Sequence, residues 1–203
     1  MQSVKNKIVS RIYGHKKGYV FSADAFNDIA TRNSVDKALS ELRGEGIIRR
    51  LSTGIYDYPD FDERLGGMLA PDIDKVANVI AKKNGWRIQP SGALAANILG
   101  LSTQVPAKSI YLTDGQSKKI KIGNRTLIFK RVPPRELLPG SEIVILITQA
   151  LRWFGKNAVG NKEVSQLRRI LNEKDKKTLL KETRHMESWL WEVIKKIVKG
   201  DEL

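Results

Sequence analysis

Asp72-Ile73-Asp74 is the one close carboxylate pair beside an apolar run, and paired carboxylates can hold Mg²⁺ for phosphoryl transfer. Their position argues for a different job. Asp72 stands where the N-cap of a helix burying Ile73, Val76, Val79 and Ile80 belongs, and Asp74 favours the positive end of that helix. His15 and His185 are the only histidines, cysteine is absent, and no His/Cys/carboxylate group has metal-ligand spacing. Gly115-Gln116-Ser117-Lys118-Lys119 lacks the second glycine and the Gly-Lys-Ser/Thr order of a phosphate-binding loop, so it reads as a strand connection. Trp153, Trp189 and Trp191 fall on amphipathic helical patterns and read as packing rather than as base-stacking platforms. No catalytic residue, metal site or cofactor is expected, and the chain reads as a non-enzyme.

Basic side chains carry a stronger signal. Against 22 acidic residues stand 36 basic ones, a net charge of +14, which points to a polyanionic partner. On a helix predicted to start at an N-cap Ser34, Lys37 and Ser40 lie opposite the Val35/Leu39/Leu42 face, with Asn33 just before the cap. These side chains can face base edges. Arg32 and Arg43 flank that stripe and, with Arg49, Arg50, Ser52 and Thr53 of a following hairpin, can hold phosphates. Asp36 and Glu41 sit on the flanks of the same face, where phosphates repel carboxylates. A second cluster lies further on: residues 108–135 hold Lys108, Lys118, Lys119, Lys121, Arg125, Lys130, Arg131 and Arg135 against Asp114 alone.

The elements that must position these residues follow from periodicity. Val4, Ile8 and Ile12, spaced by four, predict a helix ending near Gly14. Tyr19-Val20-Phe21 suits an edge strand, and Ser22 is placed to cap a second helix burying Ala25, Phe26, Ile29 and Ala30. After the third helix, stopped by Gly44 and Gly46, come a strand over 47–51, a Ser52-Thr53-Gly54 turn and a strand over 55–58. Three helices and a basic hairpin compose a winged helix-turn-helix, which places one helix in a major groove and the hairpin on adjacent phosphates. Pro59, Gly66, Gly67 and Pro71 punctuate the linker that follows.

The expected fold class is therefore α+β: a winged helix-turn-helix over 1–59, then a mixed domain over 72–203. That second domain is expected to hold an Ala/Leu-rich helix ending at Gly100, then a small antiparallel sheet, with strands at 110–113, 119–122 and 126–130 forming a meander. A helical bundle over 142–154, 161–171, 175–184 and 187–199 closes it. The absence of cysteine fits a reducing compartment. Lysines fill the N-terminus where a signal peptide needs an apolar run, and no stretch of about 18 apolar residues exists, so a cytoplasmic protein without membrane contact is expected. The C-terminal Gly200-Asp201-Glu202-Leu203 lacks the lysine of a retention signal.

Four stretches carry a family likeness: Gly18-Tyr19-Val20-Phe21-Ser22; Ile48-Arg49-Arg50-Leu51-Ser52-Thr53-Gly54-Ile55-Tyr56; Pro90-Ser91-Gly92-Ala93 through Gly100-Leu101-Ser102-Thr103-Gln104-Val105-Pro106; and Ile110-Tyr111-Leu112-Thr113-Asp114-Gly115. Together they resemble the AbiEi-like antitoxins over nearly the whole chain. The resemblance implies a winged-helix autorepressor that binds double-stranded operator DNA as a monomer or a DNA-assembled dimer. It also implies an antitoxin countering a nucleotidyltransferase toxin of the same operon in the type IV manner, without a stable toxin complex. Lys118, Lys119, Lys121, Arg125, Lys130 and Arg131 would then form a candidate basic surface that either engages the toxin's nucleic-acid substrate, and so is antitoxic, or reaches flanking operator DNA. The alternative is a stand-alone winged-helix regulator without a toxin partner; an RNA-binding or nucleic-acid-modifying protein is more distant.

Overall fold

The structure is a computed structural model, and it describes residues 3–64, 66–103 and 107–199. Gln104-Val105-Pro106 of the family likeness and the tetrapeptide Gly200-Asp201-Glu202-Leu203 lie outside the described residues. The chain is mixed α+β, with eight α-helices and three small sheets among the described residues. By its contacts it divides into two compact units, Met1–Arg87 with Lys118–Leu127, and Ile88–Ser117 with Ile128–Leu203. Pro/Gly punctuation sets the expected domains at 1–59 and 72–203; the contact division falls after Arg87 and counts Lys118–Leu127 with the first unit.

In the first unit, α1 (Val4–Gly14) is capped by Ser3, whose hydroxyl accepts from the Asn6 amide, and buries Ile8 and Ile12. Strand β1 (Tyr19–Ser22) leads into a four-residue 3-10 turn, Ala23–Phe26. The expected second helix does not form. Asn27 and Asp28 follow at once, residue types that favour turns, and Ser22 makes no cap bond, its hydroxyl lying 3.2 Å from the Asp24 carboxylate. Phe26 is buried all the same, while Ala25, Ile29 and Ala30 are half-buried against the core.

Helix α2 (Arg32–Gly44) begins earlier than Ser34; its N-cap is Thr31, and the Ser34 hydroxyl sits within the first turn, 3.1 Å from the Thr31 hydroxyl. Val35, Ala38, Leu39 and Leu42 are buried on one side. Ile47 and Ile48 are not yet strand: both amides donate to the Leu42 carbonyl and so finish the helix end. Strands β2 (Arg49–Ser52) and β3 (Ile55–Tyr58) then pair antiparallel, with β1 on the other edge of β3, giving the order β1-β3-β2. Gly54 takes φ 70° in the turn, a conformation that side-chain-bearing residues rarely adopt. A two-stranded ribbon, β4 (Phe61–Asp62) and β5 (Gly67–Met68), precedes α3 (Ile73–Asn84). Asp72 caps α3 as expected, accepting from the amides of Asp74 and Lys75 at 2.9 and 3.2 Å.

In the second unit, β6 (Ile88–Pro90) pairs antiparallel with β7 (Lys108–Thr113), and α4 (Gly92–Ile98) lies between them in sequence. The buried Gln89 side chain exchanges two hydrogen bonds with the Leu138 backbone, at 2.6 and 2.9 Å. Strand β8 (Lys118–Ile122), which counts with the first unit, and β9 (Arg125–Arg131), whose residues after Leu127 count with the second, complete a sheet of order β6-β7-β9-β8. A meander would place β8 beside β7, so that expectation fails. Residues 114–117 can span about 13 Å when extended, more than two inter-strand spacings of about 4.8 Å, which leaves room for β9 to return between them.

The bundle is close to its expected bounds: α5 (Glu142–Phe154), α6 (Asn161–Ile170), α7 (Glu173–Glu182) and α8 (Ser188–Lys199). Val144, Ile147, Leu151, Leu167, Leu179, Leu190, Ile194 and Ile197 join Ala95 and Ala96 of α4 in one core. Helix α4 approaches α5 closely because residue 92 is glycine; a Cβ there would stand 2.5 Å from the Trp153 Cβ and 2.8 Å from the Gln149 carbonyl. Trp189 packs partly buried as expected. Trp153 departs from it, being 49% exposed with its ring edge-on to Phe154. No helix among the described residues is long and apolar enough to cross a membrane.

Candidate nucleic-acid interface

On α2, residues recur on one line every three to four positions, so Asn33, Lys37 and Ser40 form a stripe diametrically opposite Val35, Ala38, Leu39 and Leu42. All three are exposed. The stripe is polar because the buried face leaves it nothing to pack against, and Lys37 has no ion-pair partner among the described residues.

The carboxylates that flank it are matched by the protein itself. The Arg32 Nε donates to Asp36 at 2.9 Å and its Nη1 to Asp24 at 2.7 Å. That double engagement raises the Arg32 pKa further, the Asp36 hydrogen bond being the largest cause. Lys5 of α1 bonds Glu45 and stands 3.9 Å from Glu41. Arg32, expected as a phosphate contact, is thus paired with the acidic flank in the structure, and Lys5 pairs with the acids on the other side. Lys5 is one of three cations on α1, with Lys7 and Arg11, and nothing local in the sequence singles it out.

Arg49 is engaged in a similar way. Its Nε and Nη2 donate to the two Asp57 oxygens at 3.1 and 2.6 Å, and Nη2 also reaches the Leu69 carbonyl at 3.0 Å. The Asp57 side chain is 2% exposed, so a charged partner is what makes its burial tolerable. The pairing was not legible in the sequence: a regular hairpin turning at Thr53-Gly54 would set Arg50 opposite Asp57, and a register shift between Arg50 and Ser52 brings Arg49 there. Arg50, one residue on, is exposed and makes only a long 3.4 Å bond to the Ser52 carbonyl. Thr53 is exposed in the turn and Ser52 half-buried.

Between the end of α2 and β2 lies an open groove of about 490 Å³ lined by Arg43, Gly46, Ile48, Arg49, Arg50 and Met68. It brings Arg43 and Arg50 to one surface feature, each without an acidic partner among the described residues. Lys83, on the last turn of α3, adds a cation that sequence reasoning missed: its Nζ lies 2.5 Å from where a Cβ on Gly54 would stand, over the hairpin turn. Lysines in a helix's last turn suit the macrodipole, which accounts for Lys82 and Lys83 without reference to the hairpin.

The other cluster is uniformly outward. Lys118, Lys119, Lys121, Arg125, Lys130 and Arg131 are all exposed, while Ile120, Ile122, Leu127 and Phe129 alternate with them into the core. Of the six, the first four fall in the first unit and the last two in the second. Among the described residues no three His, Asp or Glu side chains are placed to hold a metal ion.

The fold and this surface define an α+β protein whose first unit presents a polar helix face beside a basic hairpin. Its family is the one described as a family of unknown function, DUF6088, to which the chain belongs: that family's model matches residues 7–179. No curated protein matches the chain.

Proposed function

We propose that this chain is a DNA-binding autorepressor whose N-terminal elements work as a winged helix-turn-helix, and an antitoxin countering a nucleotidyltransferase toxin of its own operon. One observation carries the DNA-binding half. The Asn33-Lys37-Ser40 stripe is exposed, opposite a fully buried face, and its acidic flanks are already neutralised by Arg32 and Lys5. A helix with such a face fits a major groove about 12 Å wide without presenting bare carboxylates to phosphates. The element order α1, β1, 3-10 turn, α2, β2, β3 and the sheet order β1-β3-β2 support a winged helix in which the 3-10 turn stands for the second helix. Arg43 and Arg50 hold phosphates; Arg32 and Arg49 hold the scaffold.

The protein acts by binding and not by catalysis, in the cytoplasm, on double-stranded operator DNA. Its antitoxin half rests on the AbiEi-like resemblance of the sequence. Anisotropy with a duplex from upstream of its own gene tests the first half: affinity should fall with salt at a log-log slope of about −0.9 per phosphate contact. No binding, or binding insensitive to salt, overturns it. Co-expression with a nucleotidyltransferase encoded beside it tests the second half. Growth rescue supports the antitoxin role, and operator binding without rescue leaves a stand-alone regulator.

A further inference from the structure

Strand β8 belongs by its contacts to the same compact unit as the N-terminal elements, and it lies against β2, the hairpin strand that carries Arg50. Its own pattern explains how it presents charge. Ile120 and Ile122 are buried, so the strand's two-residue period turns Lys119 and Lys121 outward together, about 7 Å apart along the chain. Lys118 precedes them and Arg125 follows the Gly123 turn, both exposed. None of the four has an ion-pair partner among the described residues, and the sequence holds no acidic residue from Gly115 to Arg135. The spacing is shorter than the screening length of about 8 Å at physiological salt, so these cations repel one another and raise the local potential. A polyanion laid along the strand relieves that repulsion by displacing condensed counterions from itself.

We propose that β8 and Arg125 form a second phosphate-contacting element for the same duplex that α2 and the β2–β3 hairpin engage. The inference rests on the DNA-binding reading above and extends it: the footprint is built from two distant stretches of chain, 32–53 and 118–125. Because phosphates carry no base identity, β8 adds affinity and salt dependence without adding sequence preference. Arg50 on β2 and the β8 lysines then track neighbouring phosphates, while Lys37 and Ser40 read base edges.

The test uses the full chain and a duplex of about 30 base pairs from upstream of its gene, titrated between about 50 and 200 mM salt. The variant Lys118→Ala/Lys119→Ala/Lys121→Ala/Arg125→Ala is compared with wild type, with Arg125→Ala alone as a milder form. The quadruple variant is expected to bind at least ten-fold more weakly, with a log-log slope shallower by roughly 2 to 4, at about 0.9 per contact. Its ratio of own-site to scrambled-duplex affinity should be unchanged, and its thermal midpoint should match wild type. Lys37→Ala should show the reverse, a reduced ratio at a nearly unchanged slope.

An unchanged affinity and slope in the quadruple variant overturns the proposal and leaves the DNA-binding reading standing. Normal binding together with self-association overturns it too, since lysines on an edge strand also deter edge pairing. Wild-type preference for a single-stranded RNA of equal length overturns the choice of partner. Absence of any duplex binding by wild type removes the reading and the inference together.

Discussion

Helix α2 with strands β2 and β8, at 8 basic against 2 acidic residues, and the C-terminal bundle over 142–199, at 13 against 7, carry the same surplus of positive charge but arrange it differently. Along α7 the lysines 174, 176, 177 and 181 alternate with Glu173, Asp175 and Glu182, and Lys176 bonds Glu173 at 2.7 Å. Arg152 of α5 grips Glu187 through two bonds, and Arg168 of α6 caps α8 by donating to the Lys196 and Ile197 carbonyls. Those cations secure helices to one another and soften helix termini. On α2, β2 and β8 acids and bases are segregated: the acids are matched by Arg32, Arg49 and Lys5, and Lys37, Arg43, Arg50 and the β8 lysines remain. Net charge does not distinguish the two regions; the disposition of the acids does.

The sharpest way to break that comparison is Arg49→Ala, which should behave as a structural lesion. Removing the partner of a carboxylate as buried as Asp57 costs about 3 kcal/mol, discounted for the 30% exposure of Arg49 itself. Thermal unfolding should show a large drop for Arg49→Ala, little for Arg50→Ala, and partial recovery in Arg49→Ala/Asp57→Asn. An undisturbed midpoint in Arg49→Ala would return Arg49 to the pool of phosphate contacts. In the bundle the corresponding weak point is steric. Gly92→Ala drives a methyl group against the Gln149 carbonyl and Trp153, and overpacking of this kind costs about 1 to 3 kcal/mol. Its unfolding midpoint should fall while the duplex affinity of the folded fraction stays the same.

How much of this was legible beforehand depends on the range of the interaction. Helices α1 and α5 to α8 are written in apolar residues three and four apart, and the Asp72 cap is written in a single residue; both are local. The α2 stripe was legible for the same reason, since one period fixes both faces. The start of α2 was not, because Thr31 and Ser34 are both good caps and the choice falls to the position of Arg32 between Asp24 and Asp36. Sheet order was beyond reach: local pattern finds β7, β8 and β9 but says nothing of which strand returns between the others. The roles of Arg32, Arg49 and Lys5 needed partners eight to forty positions away. Side-chain type predicted that they are basic, and tertiary structure decided what they hold.

If segregation of charge is what separates the two regions, binding should separate them as well. Arg43→Ala/Arg50→Ala removes two unpaired cations from the groove and should lower the salt slope by about 1.8, at about 0.9 per phosphate contact. Lys174→Ala/Lys177→Ala removes the same formal charge from α7 and should leave slope and affinity nearly unchanged. Equal losses from both pairs would mean that duplex affinity follows total charge, and the α2 stripe would lose its special standing.

The smallest effect concerns acid. Arg11 of α1 grips Asp28 through two bonds of 2.7 and 2.6 Å and also donates to the Ala25 carbonyl at 2.7 Å, tying the 3-10 turn to the helix behind it. The Arg11 hydrogen bond is the main reason that the Asp28 carboxyl is pulled down from 3.8 to about 2. A carboxylate whose folded pKa is depressed contributes stability above its unfolded pKa and loses it as pH falls through the folded value. The window therefore runs from about pH 4 down to about 2, where the unfolded chain takes up the proton first. In Asp28→Asn this window should flatten: between about pH 5 and about pH 2.5, which takes in most of it, the variant's unfolding midpoint should drop less than that of wild type. Near neutral pH the two should differ only slightly, because both groups of the pair are solvent-accessible and a surface ion pair is worth little. Equal acid sensitivity in the two proteins would show that the turn is held by the buried Phe26 and not by Arg11, and the 3-10 segment before α2 would then owe its position to packing alone.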